Sequence, residues 1–400
     1  GTNTSIGIVS EGNGNVTHNG NMIIADKGTG EGDTGSVGIY KLNGTGTITT
    51  TAGNNWTVGN SGYGIYVQQV IITKDAGGNI ISSTVTSNSA TINNNVNMDL
   101  GMAAVGIYSN GKNIVTNTGN ITVGETNVNG NHDDATKHEN SVGIYIGEGT
   151  VATSSGTITV NHDHSVGVYG TGIETKFTNT GTINIDNGGV GILVRDGAVA
   201  VNAAGANINL GGTLADCGAI TVGMAAYNGA RIENYGDITV NAGVGMLVGN
   251  GATFFNGGTI TVNNGVGIEG IGNTVNAGHI VVNGGTGTQL AGLANAQMGS
   301  VEITSDGSIK INGNYVSAGG TLTTDGNLII NGAYVDVTTG VPLFNAHSVS
   351  GEVNILPNFA STGNGITYEI KDFVNTATGV ITGTKLTPVT SPLFIAKVTD

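Results

Sequence analysis

The sequence predicts an all-β fold, a right-handed parallel β-helix. Three observations carry this: two short phrases alternate along most of the chain, their spacing is nearly constant, and asparagines recur at fixed places beside one of them. A strand-forming unit of about 22 residues cannot bury its apolar face alone, so successive units must stack into a solenoid.

The first phrase is Val-Gly-Ile-Tyr, at Val37–Tyr40, Val105–Tyr108 and Val142–Tyr145, with variants at Tyr63–Tyr66, Val166–Tyr169, Val190–Leu193, Val244–Leu247 and Val266–Glu269. The second is Gly-Thr-Ile-Thr-Val, at Gly156–Val160 and Gly258–Val262, with variants beginning at Gly46, Gly119, Gly181, Gly236 and Gly278. Both alternate apolar with small or polar residues, the period of a strand buried on one face. Thirteen residues carry the chain from Gly106 to Gly119, from Gly143 to Gly156 and from Gly245 to Gly258, and nine from Gly236 to Gly245 and from Gly258 to Gly267. Two or three short strands joined by tight turns close a coil of that length, and stacking pairs each strand with its copies in parallel. A hairpin meander would not return the same phrase to the same point of every unit. The handedness follows from the general rule for parallel crossovers. At ~4.8 Å per coil, about 12 to 14 coils make a rod on the order of 60 Å long.

Stacking puts identical residues in ladders. Asn117, Asn179, Asn234, Asn256 and Asn276 each lie two residues before the glycine of the second phrase, and Asn161, Asn241, Asn263 and Asn283 directly follow that phrase. Asparagine tolerates left-handed turns and its amide bonds its own kind across layers, so both series are expected as ladders at solenoid corners.

Composition agrees with a thin-cored, extracellular rod. Of 400 residues 71 are glycine and only 10% are charged, yet β-branched residues recur too regularly for a disordered chain. The net charge of −15 repels polyanions, which argues against nucleic acid as a partner. Cys217 stands alone, so no intrachain disulfide can form and stability must come from the fold. No apolar run approaches the roughly 18 residues of a membrane-spanning helix. Gly1 falls inside what reads as a repeat, so the chain is expected to be a piece of a longer protein. Regular coils are expected over residues 1–340. Residues 341–400 hold all four prolines (Pro342, Pro357, Pro388, Pro392) together with Phe344, Phe359, Phe373 and Phe394, and read as less regular coils or a cap on the same solenoid.

The alternating phrases, as in Val142–Tyr145 and Asn179–Ile185, resemble the passengers of type V autotransporters, in particular the very large fusobacterial outer-membrane adhesins. The likeness covers about residues 1–340. It implies a β-helix displayed outside the cell, ahead of a membrane barrel, and a role in attachment to host-cell or bacterial surface proteins or glycans. No family binding motif carries over residue by residue.

Binding is favoured over catalysis, and no cofactor is called for. Polysaccharide-degrading β-helices need paired carboxylates or a base beside acidic metal ligands. The two arginines, Arg195 and Arg231, have Asp196 and Glu233 nearby but fall at different points of the repeat. A monomeric adhesive segment is the leading reading, and a spacer that holds an adhesive tip away from the cell is its competitor.

Three features are candidates for function. Strand parity puts Val and Ile of the first phrase inward and Gly and Tyr outward, so Tyr40, Tyr66, Tyr108, Tyr145 and Tyr169 should stack on one flank, giving way to Leu193, Leu247, Glu269 and Gln289. Such a row stabilises as an aromatic ladder or holds a ligand. His132, Asp133, Asp134, His138 and Glu139 occupy an insertion one coil before His162, Asp163 and His164, so His132, Asp133, His138, His162 and His164 are candidate metal ligands. A hydrated polar corner is the alternative. Finally, the connection from the second phrase to the next first phrase varies in length, so 26–36, 70–104, 124–141 and 211–221 should protrude along one flank, with a degenerate coil around Ala90 to Met98 inside the second.

Overall fold

The computed structural model describes residues 5–26, 35–77, 80–124, 141–186, 188–211 and 220–290, then 293–296, 300–304, 307–311, 315–318, 321–324, 327–330, 334–336, 348–349 and 353–355. Its strands form three long parallel sheets of 14, 13 and 13 strands, with no helix among the described residues. Each coil gives one strand to each sheet in turn. In one coil these are Val142–Gly147, Val151–Ser154 and Thr157–Val160. The next coil repeats them with Ile144 opposite Val168, Ala152 opposite Phe177 and Ile158 opposite Ile183. The chain is therefore a parallel β-helix. Thirteen coils have all three strands, and Val353–Ile355 opens another turn. The near-constant thirteen-residue connection owes its regularity to a complete strand of the second sheet.

Alternation fills the interior. Ile144, Ile146, Ala152, Ile158 and Val160 are buried, and the same inward positions are buried from Ile39 to Ile280. Each full aliphatic side chain so enclosed is worth about 1.5–3 kcal/mol of transfer free energy.

The glycine of the first phrase faces the core, opposite to the parity expectation. A Cβ on Gly143 would lie 2.5 Å from the carbonyl oxygen of Gly167 and 3.2 Å from Cγ2 of core residue Val123, and Gly38 would meet Met22 and Ile24 in the same way. The chain turns from the third sheet into the first at this point, and ladder pairing skips the glycine, running from Val105–Val142 directly to Ile107–Ile144. The turn breaks the alternation, so Gly and Ile both face inward while Tyr keeps its outward place.

The Gly46 phrase belongs to the second sheet. Gly46–Thr50 pairs with Ala90–Asn94, and the third-sheet strand of its coil is Asn55–Val58. This explains its short distance from Gly38. Residues 70–104 also differ from expectation. Ala90–Asn94 and Asn97–Leu100 complete the coil opened by Tyr63–Gln68, so no extra coil exists. The insertion is an antiparallel ribbon of Val70–Lys74 with Ile80–Val85, standing at the corner between the first and second sheets. Of residues 341–400, only Ser348–Val349 and Val353–Ile355 are described, and both extend the solenoid sheets. The rest of the expected cap lies outside the described residues.

Candidate functional site

Equal register in the first sheet stacks the tyrosines: Tyr40 lies opposite Tyr66, then Tyr108, Tyr145 and Tyr169. Val9 precedes them, and Leu193, Ala225, Leu247, Glu269 and Gln289 follow. Ring centroids are 5.3, 4.4, 4.6 and 5.4 Å apart along the row, and from Tyr66 to Tyr169 adjacent planes lie within 8° of parallel. Tyr63 packs edge-on against Tyr66 at 5.2 Å.

This geometry determines what the row can do. The rings face one another along the rod axis, so their faces are occupied within the ladder and the outward surface consists of ring edges and hydroxyls. A ligand laid along the row meets hydrogen-bonding groups. Tyr66 Oη donates to Oε1 of Gln68 at 3.0 Å. Burial, then the proximity of other phenols, pushes the Tyr66 hydroxyl up to about 12 and raises Tyr108 further. Tyr145 is raised by the same leading cause. Tyr66, Tyr108 and Tyr145 therefore stay protonated as donors across the physiological range.

A polar knot closes one end. Arg195 lies two residues beyond Leu193, and its guanidinium is held in the charged form by the Tyr169 hydroxyl first and then by Asp196. Its Nε is 2.8 Å from Oδ2 of Asp196. Asp196 also accepts from Asn228 and Thr171, each at 3.2 Å, and these bonds, Asn228 foremost, hold its carboxyl below the usual range.

Three of the four expected insertions leave from one edge of this sheet. Asp26 and Gly35 bound one, Gly124 and Ser141 the next, and Gly211 and Ile220 the third, each between a third-sheet strand and the following first-sheet strand. Their interiors, 27–34, 125–140 and 212–219, lie outside the described residues. So do His132, Asp133 and His138. At the neighbouring corner His164 Nδ1 is 3.3 Å from the buried Asp163, while His162 is exposed. The backbone of His164 is left-handed, with φ 57°. No group of three or more metal-binding side chains assembles among the described residues.

Sequence reasoning missed Lys41. It shares inward parity with Ile39, at the position that Val67 and Val194 fill in other coils, and it is fully buried. Its ammonium donates to the carbonyls of Gly12 and Gly14 at 2.8 and 3.2 Å, and burial lowers its pKa. The parity signal was present, but lysine is so seldom inside that a parity rule alone does not single it out.

Comparison with protein-family models, curated proteins and solved structures finds no match to this chain.

Proposed function

We propose that this chain is a surface-displayed segment of an adhesin of the autotransporter-passenger type, attaching to host-cell or bacterial surface proteins or glycans rather than catalysing a reaction. The observation that carries the reading is the alignment of three insertions on one edge of the tyrosine-bearing sheet of a rigid solenoid. Insertions that leave a repeat at equal points emerge along one flank, and recognition commonly resides in loops on such scaffolds. The phenols of Tyr66, Tyr108 and Tyr145, on the same sheet, add hydrogen-bond donors to its outer face.

A spacer role is the second reading, and a specific observation favours it. Ring faces closed within the ladder serve cohesion between coils, as the internal asparagines do, and cohesion is what a stalk requires.

Trimming separates the two. Residues 125–140 are replaced by the two or three residues of a regular coil, and 27–34 and 212–219 likewise. Each variant is compared with the parent for binding to host cells, to other bacteria and to a glycan array. Loss of binding with unchanged circular dichroism is expected. Undiminished binding by all three variants replaces the adhesive reading with the spacer.

A further inference from the structure

On the outer face of the second sheet, away from the tyrosine row, Arg231, Glu233, Tyr235 and Phe255 are brought together by adjacent coils. Strands Arg231–Asn234 and Thr253–Asn256 pair with Glu233 opposite Phe255. Ile232 and Phe254 take the inward positions and are buried, which directs Arg231, Glu233 and Phe255 outward. Tyr235 follows the buried Asn234 at the corner.

The polar half is fixed in place. Nε of Arg231 is 2.6 Å from Oε1 of Glu233, and the Tyr235 hydroxyl donates to Oε2 at 2.9 Å. The same hydrogen bond is the main cause that raises the Tyr235 phenol. The aromatic half is open. Tyr235 and Phe255 are 5.6 Å apart at 46°, splayed rather than stacked, and Tyr235 is 40% exposed. Gly257 makes room for both: a Cβ there would stand 3.0 Å from each ring. The exposed Val275 continues the apolar strip beside Phe255, and Val201 lies on the far side of Glu233.

We propose that this cluster is a binding site for a neutral pyranose of gluco configuration. Such a sugar has apolar faces of axial C–H bonds and a rim of equatorial hydroxyls. The C–H face suits an open ring face, and with all hydroxyls equatorial either face of the sugar can be presented, whereas a sugar with an axial hydroxyl can present only the face that does not carry it. The rim meets a half-exposed guanidinium whose terminal nitrogens are donors beyond the Nε contact, and the exposed edge of a largely buried carboxylate as acceptor. Adjacent hydroxyls, one donating to Glu233 and one accepting from Arg231, complete the match. An anionic sugar is disfavoured, because Arg231 is already neutralised by Glu233 and the chain carries a net charge of −15. The site does not depend on the role proposed for the insertions.

Saturation-transfer NMR on the intact chain, with cellotetraose and methyl β-D-glucopyranoside as probes, tests it. Transfer to the axial ring protons is expected, with affinity weakened on the order of tenfold in Phe255→Ala and in Tyr235→Ala. Arg231→Lys, which keeps the charge and loses the planar fork, should also weaken binding, and Tyr108→Ala and the loop-trimmed variants should not. Circular dichroism checks that each variant is folded. Absence of transfer overturns the proposal, as does equal transfer in Phe255→Ala, or stronger binding of sialyllactose than of cellotetraose.

Discussion

Asn234 donates through Nδ2 to Oδ1 of Asn256 at 2.9 Å, and both side chains are fully buried. Asn202 donates to Asn234 at 2.8 Å and Asn256 to Asn276 at 2.7 Å, so the amides form a continuous internal chain between coils. Asn234 and Asn276 also cap their own corners, donating to the carbonyls of Gly236 and Gly278, each at 3.1 Å. Asn234→Ala leaves Asn202 a donor and Asn256 an acceptor without partners, and is expected to cost about 1–3 kcal/mol. Asn263→Ala, in the exposed ladder between Asn241 and Asn283, is expected to stay within about 0.5 kcal/mol because water replaces the lost bonds. Urea unfolding of the two variants measures the contrast.

The glycine ladder makes an equally local prediction. At Gly143 the backbone cannot retreat from an added methyl group, because Val142 N donates to Ala104 O and Val166 N to Ser141 O, each at 2.9 Å, pinning the corner from both sides. Gly143→Ala should lose about 1–3 kcal/mol through overpacking against Gly167 and Val123. Gly14→Ala, where the nearest atom to the added carbon is 4.0 Å away, should be close to neutral. Thermal melts of both proteins provide the check.

These features differ in how far the sequence reveals them. Coil length, the asparagine rows and the tyrosine row are visible because parallel stacking converts equal spacing into contact, and equal spacing can be read directly. Orientation at a corner cannot be, since Gly143 faces inward only because the backbone turns between sheets there. The Gly46 phrase shows the same limit: Gly-Thr-Ile-Thr suits any half-buried strand, so its letters do not say which of three sheets receives it. The Val70–Val85 ribbon escaped because one length change inside a coil can belong to either corner. Tyr235 and Phe255 lie twenty residues apart, each ordinary alone, and only register makes them neighbours.

The phenol row predicts a delayed titration. An ordinary tyrosine ionises near 10, whereas Tyr66 is pushed up to about 12 and Tyr108 beyond it. For an acid whose folded pKa is raised, the stabilising contribution is complete below the unfolded value and is lost as pH rises through the folded one. Stability should therefore fall between pH 10 and about 12. Absorbance at the phenolate band should show late-ionising tyrosines in the parent, and Tyr108→Phe should remove one of them and flatten that fall. A single transition near pH 10 for all tyrosines would contradict the ladder's burial.

The ribbon between Val70 and Val85 should be dispensable to the fold, although the residue at its base is not. Its ends are already tied without it: Thr86 N donates to Gln69 O at 2.9 Å, and Gln69 N to Asn110 O at 2.9 Å. Its outer part carries Ile71 and Ile81 into solvent at 56% and 65% exposure, so little core is lost by removing it. Replacing residues 71–84 by Asn-Gly keeps the Val70–Val85 pair and supplies the two-residue turn that such a pair accepts. Gln69 is different, being fully buried with Nε2 donating to Gly44 O at 2.6 Å, a bond between neighbouring coils. Gln69→Ala should therefore lower the unfolding free energy by about 1–3 kcal/mol, more than removal of the whole ribbon, because it strands a buried carbonyl where the excision strands none. Paired thermal melts decide the order, and a larger loss on excision would mean that the ribbon packs as part of the solenoid core.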